Sequence, residues 1–189
     1  METVPPEGLR VLWTREQIAD GVEAIAEKLV TTYGDAPTVN LVPVMTGGLH
    51  FAAALSSALE RRAPGKWLIS PVFAAAYVAD GDVTTPSIEF PAGFEGRVDA
   101  AAPVVVVDDL LDSGTTMAAL VSLLSERSAG PVRVAVLIER DREREVFPHA
   151  DFCAFHVHED DWLVGFGMDT GRRFRGLDAV YVRDTGDEG

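Results

Sequence analysis

The stretch "VVVVDDLLDSGTT", Val104 to Thr116, constrains this chain more than any other. Four consecutive valines without polar alternation read as a strand in a sheet covered on both faces. They run straight into Asp108 and Asp109, then Asp112, then small hydroxylated residues and a glycine. Burying an unpartnered charge costs several kcal/mol. The two leading acids are therefore expected just outside the strand, with Asp112 or Ser113 as the N-cap of a following helix.

The rest of the chain supplies the setting for such a strand. "TREQIADGVEAIAEKLVTTYG" opens with Thr14, has Gln17 three residues later, and repeats Ile18, Val22, Ile25 and Leu29 at helical spacing, which predicts a capped amphipathic helix ended by Gly34. "TVNLVPVM" is an apolar run of strand length, followed by Gly47 and Gly48 and the helical pattern "LHFAAALSSALERR". "WLISPVFAAAYV", "PVVVVDD", "VRVAVLIE", "ADFCAFHVH" and "AVYVRD" read as further strands, and "TTMAALVSLLSERSAG" as a helix stopped by Gly130 and Pro131. Strands alternating with helices imply an α/β domain with a parallel sheet, whose ligands bind at the carboxyl ends of the strands. That is where "MTGG" and "DDLLDSGTT" fall. Residues 1–183 are expected to form one domain, with an excursion of lid type at about 78–99, rich in Gly, Pro, Asp and Thr, and a disordered acidic tail over 184–189.

Charge narrows the classes of partner. The formal net charge of −14 repels phosphate backbones and argues against nucleic acid and anionic membrane as partners. There is no apolar run long enough to span a bilayer and no secretory-type leader, so a cytoplasmic location is expected. The single cysteine, Cys153, excludes an intrachain disulfide and is expected to be a buried, inert thiol. His156 and His158 alternate in "HVHED" and would share a face of an edge strand; without further ligands they are read as solvent-facing, and His50 and His149 are isolated.

A helix start carrying free amides and three hydroxyls holds a phosphate dianion, while adjacent carboxylates accept hydrogen bonds from a vicinal diol or hold the water shell of Mg²⁺. Together they describe a site for a phosphorylated ribose. The plainer reading is an acid-capped helix after a strand. The stretch is neither a Walker loop, since it lacks the GxxxxGK[ST] lysine, nor a GxGxxG dinucleotide fingerprint.

"VVVVDDLLDSGTT" closely resembles the phosphoribosyl pyrophosphate (PRPP) motif of type I phosphoribosyltransferases, in which hydrophobic residues precede two acids and a D-[ST]-G-x-T loop. "VLWTREQI", "VPVMTGGLHFAAAL", "VRVAVLIERDREREV", "ADFCAF" and "WLVGFGMDTGRRFRGLDAVYV" extend the resemblance, which is greatest to hypoxanthine-guanine phosphoribosyltransferases, over most of the chain. It implies a Rossmann-like parallel sheet flanked by helices with a small hood and a flexible lid loop. The implied chemistry transfers the 5-phosphoribosyl group from PRPP to hypoxanthine or guanine with Mg²⁺, releasing pyrophosphate, in purine salvage. It also implies a homo-oligomer, dimer or tetramer.

Residue by residue, the resemblance assigns Asp108 and Asp109 to the ribose hydroxyls and to Mg²⁺, and Asp112, Ser113, Gly114, Thr115 and Thr116 to the 5′-phosphate. Asp112 is also implied as the general base or a proton-holding partner for the incoming base, beside its plainer role in capping the helix. Thr46 and Gly47 of "MTGG", with an unusual peptide before Thr46, and Arg175 are assigned to pyrophosphate, and Asp169 to a second Mg²⁺ through water. Trp162 is assigned to stacking on the base and the backbone of Leu163 to reading its edge. The chain departs from the family pattern in two places. Arg140 stands where the family has the lysine that meets purine O6, and Ala76-Tyr77 stands where the lid starts with Ser-Tyr. Two alternatives follow: a phosphoribosyltransferase for another heterocycle in a specialised pathway, or a regulator that keeps the PRPP pocket without catalysis.

Overall fold

A computed structural model describes residues 5–75, 78–79, 82–83, 86–147, 149–158 and 160–183. In chain order the elements are β1 (Leu9–Trp13), α1 (Arg15–Thr32), β2 (Val39–Met45), α2 (Leu49–Arg62), β3 (Trp67–Ile69), β4 (Val72–Ala75), β5 (Val78–Ala79), β6 (Asp82–Val83) and β7 (Ser87–Glu89). A 3₁₀ turn over Phe94–Gly96 precedes β8 (Val104–Leu111), α3 (Thr115–Ser125), β9 (Val132–Asp141), β10 (Phe152–His158), β11 (Leu163–Val164) and β12 (Val180–Arg183).

The main sheet runs β10-β9-β8-β2-β4-β7, with β3 also on β2. Its pairs are parallel except β4 with β7. The valine run lies at its centre and shows why alternation is missing there. Val105 and Val107 pack with Ile25, Leu29 and Leu55 of α1 and α2 on one face. Val104 and Val106 pack with Met117, Leu120 and Leu124 of α3 on the other. Each face of the strand meets a helix layer, so every position is apolar. A separate antiparallel sheet, β1-β12-β11, forms the hood beside the main sheet.

Three expectations change. "WLISPVFAAAYV" is broken at Ser70 and Pro71 into β3 and β4, because Ser70 is fully buried with its hydroxyl bonded to Arg97 O at 3.1 Å, and proline has no amide for the ladder. Part of the excursion at 78–99 belongs to the body of the domain. β7 pairs with β4, and Phe94 is buried with Phe90 against it, ring centroids 4.9 Å apart. Strand β1, over which no element was expected, pairs with β12. The residues expected to open the lid, Ala76 and Tyr77, and the tail at 184–189 lie outside the described residues. No helix among the described residues is long and apolar enough to cross a membrane.

Candidate active site

A cavity of about 520 Å³ opens at the carboxyl ends of β2 and β8 and is closed on one side by the chain around β11. The strand carries its acids further inward than expected. β8 continues through Leu111, held in register to β9 by Asp108↔Val136 and Leu111↔Glu139, so Asp108 and Asp109 are strand residues and not loop residues. Asp109 is 8 % exposed, whereas Asp108 is partly open to the cavity.

Their surroundings explain how two such carboxylates are accommodated. Asp109 Oδ1 accepts from Leu110 N at 2.9 Å, and Asp108 Oδ1 accepts from Asp109 N at 3.0 Å. Burial, reinforced by the neighbouring Asp109 charge, pushes the Asp108 carboxyl well above the usual carboxylate range. Burial also pushes Asp109 up, against the hydrogen bonds and the Arg175 charge that favour its ionised form. The Asp109 carboxylate is wedged between two glycines. A Cβ on Gly47 would lie 2.7 Å from either of its oxygens, and one on Gly167 (φ +111°) would lie 2.2 Å from Gly47 O. Only glycine fits either place.

The phosphate-type loop follows directly. Helix α3 starts on Gly114 at φ +80°, with no side-chain cap, so neither Asp112 nor Ser113 is the N-cap. The reason lies across the cavity: Asp112 Oδ1 is turned to Arg142 Nη1 at 2.7 Å and Arg140 Nε at 3.2 Å. The first intrahelical bond is Ala118 N to Gly114 O at 2.8 Å, and Ser113 N and Gly114 N have no acceptor among the described residues. The loop thus keeps two amides without an acceptor at the positive end of a helix, while Thr115 N donates to Ser113 Oγ at 3.4 Å.

On the pyrophosphate side, Thr46 and Gly47 line the cavity and the Met45–Thr46 peptide is cis. Arg175 Nη2 meets Asp169 Oδ1 at 2.5 Å, and Asp169 Oδ2 accepts from Arg172 N at 2.6 Å. On the remaining side, Trp162 lines the cavity with 57 % of its surface exposed, next to buried Leu163 at the start of β11. Arg140 Nη1 donates to His158 O at 3.1 Å and Asp161 O at 2.8 Å, which ties the end of β9 to the turn that presents Trp162.

The profile of the phosphoribosyl transferase domain matches residues 14–170. The chain belongs to the phosphoribosyltransferase family. Among curated proteins it is 27 % identical to the hypoxanthine-guanine phosphoribosyltransferase of Bacillus subtilis over 173 residues, 92 % of each chain. It is also 27 % identical to the hypoxanthine-guanine-xanthine phosphoribosyltransferase of Tritrichomonas foetus over 174 residues, covering 92 % of this chain and 90 % of that one. The fold is shared with the hypoxanthine phosphoribosyltransferase of Staphylococcus aureus, at TM-score 0.79, 19 % identity and coverage of 92 % and 90 %. It is shared too with that of Trypanosoma cruzi complexed with the product IMP, at TM-score 0.81, 19 % identity and coverage of 97 % and 95 %.

Every residue singled out in this phosphoribosyltransferase from its sequence lines the one cavity except Thr115, which opens α3 beside it. Sequence reasoning missed Gly167, whose only trace was the spacing "GFG", and missed Glu139, Arg142 and Arg144 in "ERDRER". Charges alternating at the end of an apolar strand were the available signal for the latter three. His156 and His158 are exposed on edge strand β10 as expected, 3.1 Å from Asp141 and 3.8 Å from Asp160. Burial pushes the half-buried Cys153 thiol up to about 11, which fits an inert role.

Proposed function

We propose that this phosphoribosyltransferase joins the 5-phosphoribosyl group of PRPP to a 6-oxopurine, hypoxanthine or guanine, giving the nucleoside 5′-monophosphate and pyrophosphate in purine salvage. The observation that carries this reading is the arrangement around one cavity: open amides at the start of α3, the Asp108–Asp109 pair, and Trp162 beside Arg140. These suit, respectively, a 5′-phosphate, a ribose diol and a planar base.

The residues present also suit Mg²⁺. Two carboxylates whose charged forms are disfavoured by burial, and at Asp108 also by the charge of Asp109, would gain from a cation. No cluster of three protein ligands occurs among the described residues, which fits an ion that takes one or two carboxylates and otherwise substrate oxygens and water. Asp108 and Asp109 would hold it, with Asp169 reaching a second ion through water. Its contribution when bound would be to neutralise charge on the departing pyrophosphate.

The chain's own groups divide the remaining work. As the C1′–O bond to pyrophosphate breaks, Asp108 and Asp109 favour positive charge on the ribose, and Arg175 with the Thr46–Gly47 amides takes up the negative charge that leaves. Both arginine contacts on Asp112 fall on Oδ1. The Asp112 carboxylate is half exposed on the cavity and would accept the proton that the purine loses as its nitrogen bonds to C1′. Trp162 stacks on the base and the Leu163 backbone reads its edge. Arg140, anchored by the His158 and Asp161 carbonyls, is the cavity-lining cation that would meet O6. That anchoring also favours a second reading, a phosphoribosyltransferase for another heterocycle. We include self-association in the proposal, as a dimer or tetramer measurable by sedimentation; exposed Leu68, Ile69 and Phe73 on β3 and β4 supply apolar surface.

The test is pyrophosphate release from PRPP and Mg²⁺ across hypoxanthine, guanine, xanthine, adenine and uracil. Turnover with the first two is expected, falling about 10²- to 10⁴-fold in Asp112→Asn with PRPP binding retained. Turnover with another base alone moves the assignment to the second reading, and no nucleotide product with any base rejects both.

A further inference from the structure

The side chain of Arg144 is deeply buried, 1 % exposed, and that of its partner Glu139 is 4 % exposed. A guanidinium keeps its charge at any pH a protein survives, so such burial is tolerated only when its donors are spent on acceptors. Nη1 meets Glu139 Oε1 at 3.1 Å. The others go to main-chain carbonyls: Nε to Asp112 O at 2.5 Å, and Nη2 to Leu111 O at 3.1 Å and to Arg140 O. Glu139 is fixed in turn by Ala150 N at 3.1 Å on Oε2 and by His149 Nδ1 at 2.7 Å on Oε1.

Leu111 and Asp112 are the two residues with which the chain leaves β8 and enters the phosphate-type loop. Both line the cavity, as do Ser113 and Gly114, whereas Arg144 does not and stands behind the loop. The peptides joining 111 to 112 and 112 to 113 are trans, so carbonyl and amide of each point in opposite directions. We infer that Arg144 is a positioning residue for the anion nest: by drawing the carbonyls of Leu111 and Asp112 to its own side, it turns the amides of Asp112 and Ser113 toward the 5′-phosphate.

The same segment fixes the next residue. A Cβ on Gly114 would lie 2.9 Å from Phe147 Cβ and 3.3 Å from Arg144 Cδ, so the turn of the loop is moulded on this buttress. A lysine at 144 keeps the charge but is a single point of donation, and cannot serve two successive carbonyls and a carboxylate from one planar fork.

The inference rests on the phosphate-site reading above, and ribose 5-phosphate separates the two. Its affinity is measured by calorimetry on the full chain for wild type, Arg144→Lys, Arg144→Met and Glu139→Gln. PRPP and base KM, kcat, and folding by near-ultraviolet circular dichroism are recorded alongside. Arg144→Lys is expected to lose about 10- to 100-fold in ribose 5-phosphate affinity and to raise the PRPP KM by a similar factor. The base KM should change less than the PRPP KM, because the Arg140 guanidinium is tied to the His158 and Asp161 carbonyls and Trp162 O accepts from Arg183 N, whereas Arg144 meets Arg140 at its main-chain carbonyl. Glu139→Gln is expected to show a smaller loss of the same kind. A merely structural role lowers the active fraction, and with it kcat, without this selective effect on phosphate. Folded Arg144→Lys with wild-type affinity overturns the inference; if neither Arg144 variant folds, wild-type affinity in Glu139→Gln overturns it. Wild-type protein that fails to bind ribose 5-phosphate rejects the phosphate site itself and the inference with it.

Discussion

Two helix starts in this protein solve the same problem in opposite ways. At α1, Thr14 Oγ1 accepts from Gln17 N at 3.3 Å and Gln17 Oε1 accepts from Thr14 N at 2.9 Å, so the orphan donors are served by the helix's own side chains. At α3, the cap is a left-handed glycine with no side chain to offer, and the carboxylate that could have capped is held away by Arg140 and Arg142. The first start is complete without a ligand; at the second, Thr115 N reaches Ser113 Oγ only at 3.4 Å, and Ser113 N and Gly114 N have no acceptor among the described residues. An unpaired donor is costly only where water and ligand are both excluded. The difference therefore marks which terminus is structural and which is made for an anion.

Substitutions at the two starts should separate these roles. The largest effect is expected from Gly114→Ala, which forces a side chain into φ +80° and against Phe147. Left-handed strain and overpacking together come to about 2–5 kcal/mol. Loss of ribose 5-phosphate binding in the calorimeter should accompany it. Ligand should act as the missing cap of α3: at 100 times its Kd, ribose 5-phosphate is expected to stabilise the protein by about 2.7 kcal/mol, read as a rise in Tm.

The acid pair leading into α3 carries a related cost. Asp108 is raised in the folded state by burial first and by Asp109 second, so stability is fully present below the ordinary carboxylate pKa and is lost as pH rises through the folded value. Asp108→Asn should accordingly raise the metal-free Tm at pH 7, by about 1–3 kcal/mol of stability. Its advantage over wild type should vanish as pH falls to about 4 in thermal scans. The smallest effect is expected at the satisfied terminus. Thr14→Ala should cost about 1 kcal/mol in denaturant unfolding and leave kcat/KM and the ligand-induced Tm shift unchanged.

How much could be read in advance differs between these regions for a physical reason. The capping box at Thr14, the double-sided burial of Val104 to Val107 and the glycine turn at Gly47 are local patterns, each set by residues within a few positions of one another. The departure of Asp112 from the cap position was invisible because its competitors, Arg140 and Arg142, are 28 and 30 residues away in the chain. The same holds for Gly167, which is glycine because Gly47 and Asp109 press against it.

From its sequence alone this chain declared a parallel α/β sheet, three helices, and an acid-rich loop of phosphoribosyltransferase type, because periodicity and motif spacing are properties of contiguous residues. Only the folded arrangement decided that β8 carries Asp108 and Asp109 inside the strand, that part of the 78–99 excursion is core, and that Arg144 braces the loop from behind. Those outcomes depend on which distant groups reach one another. Ion pairs, register and steric exclusion across the sheet are settled when the layers pack, and no local pattern records them.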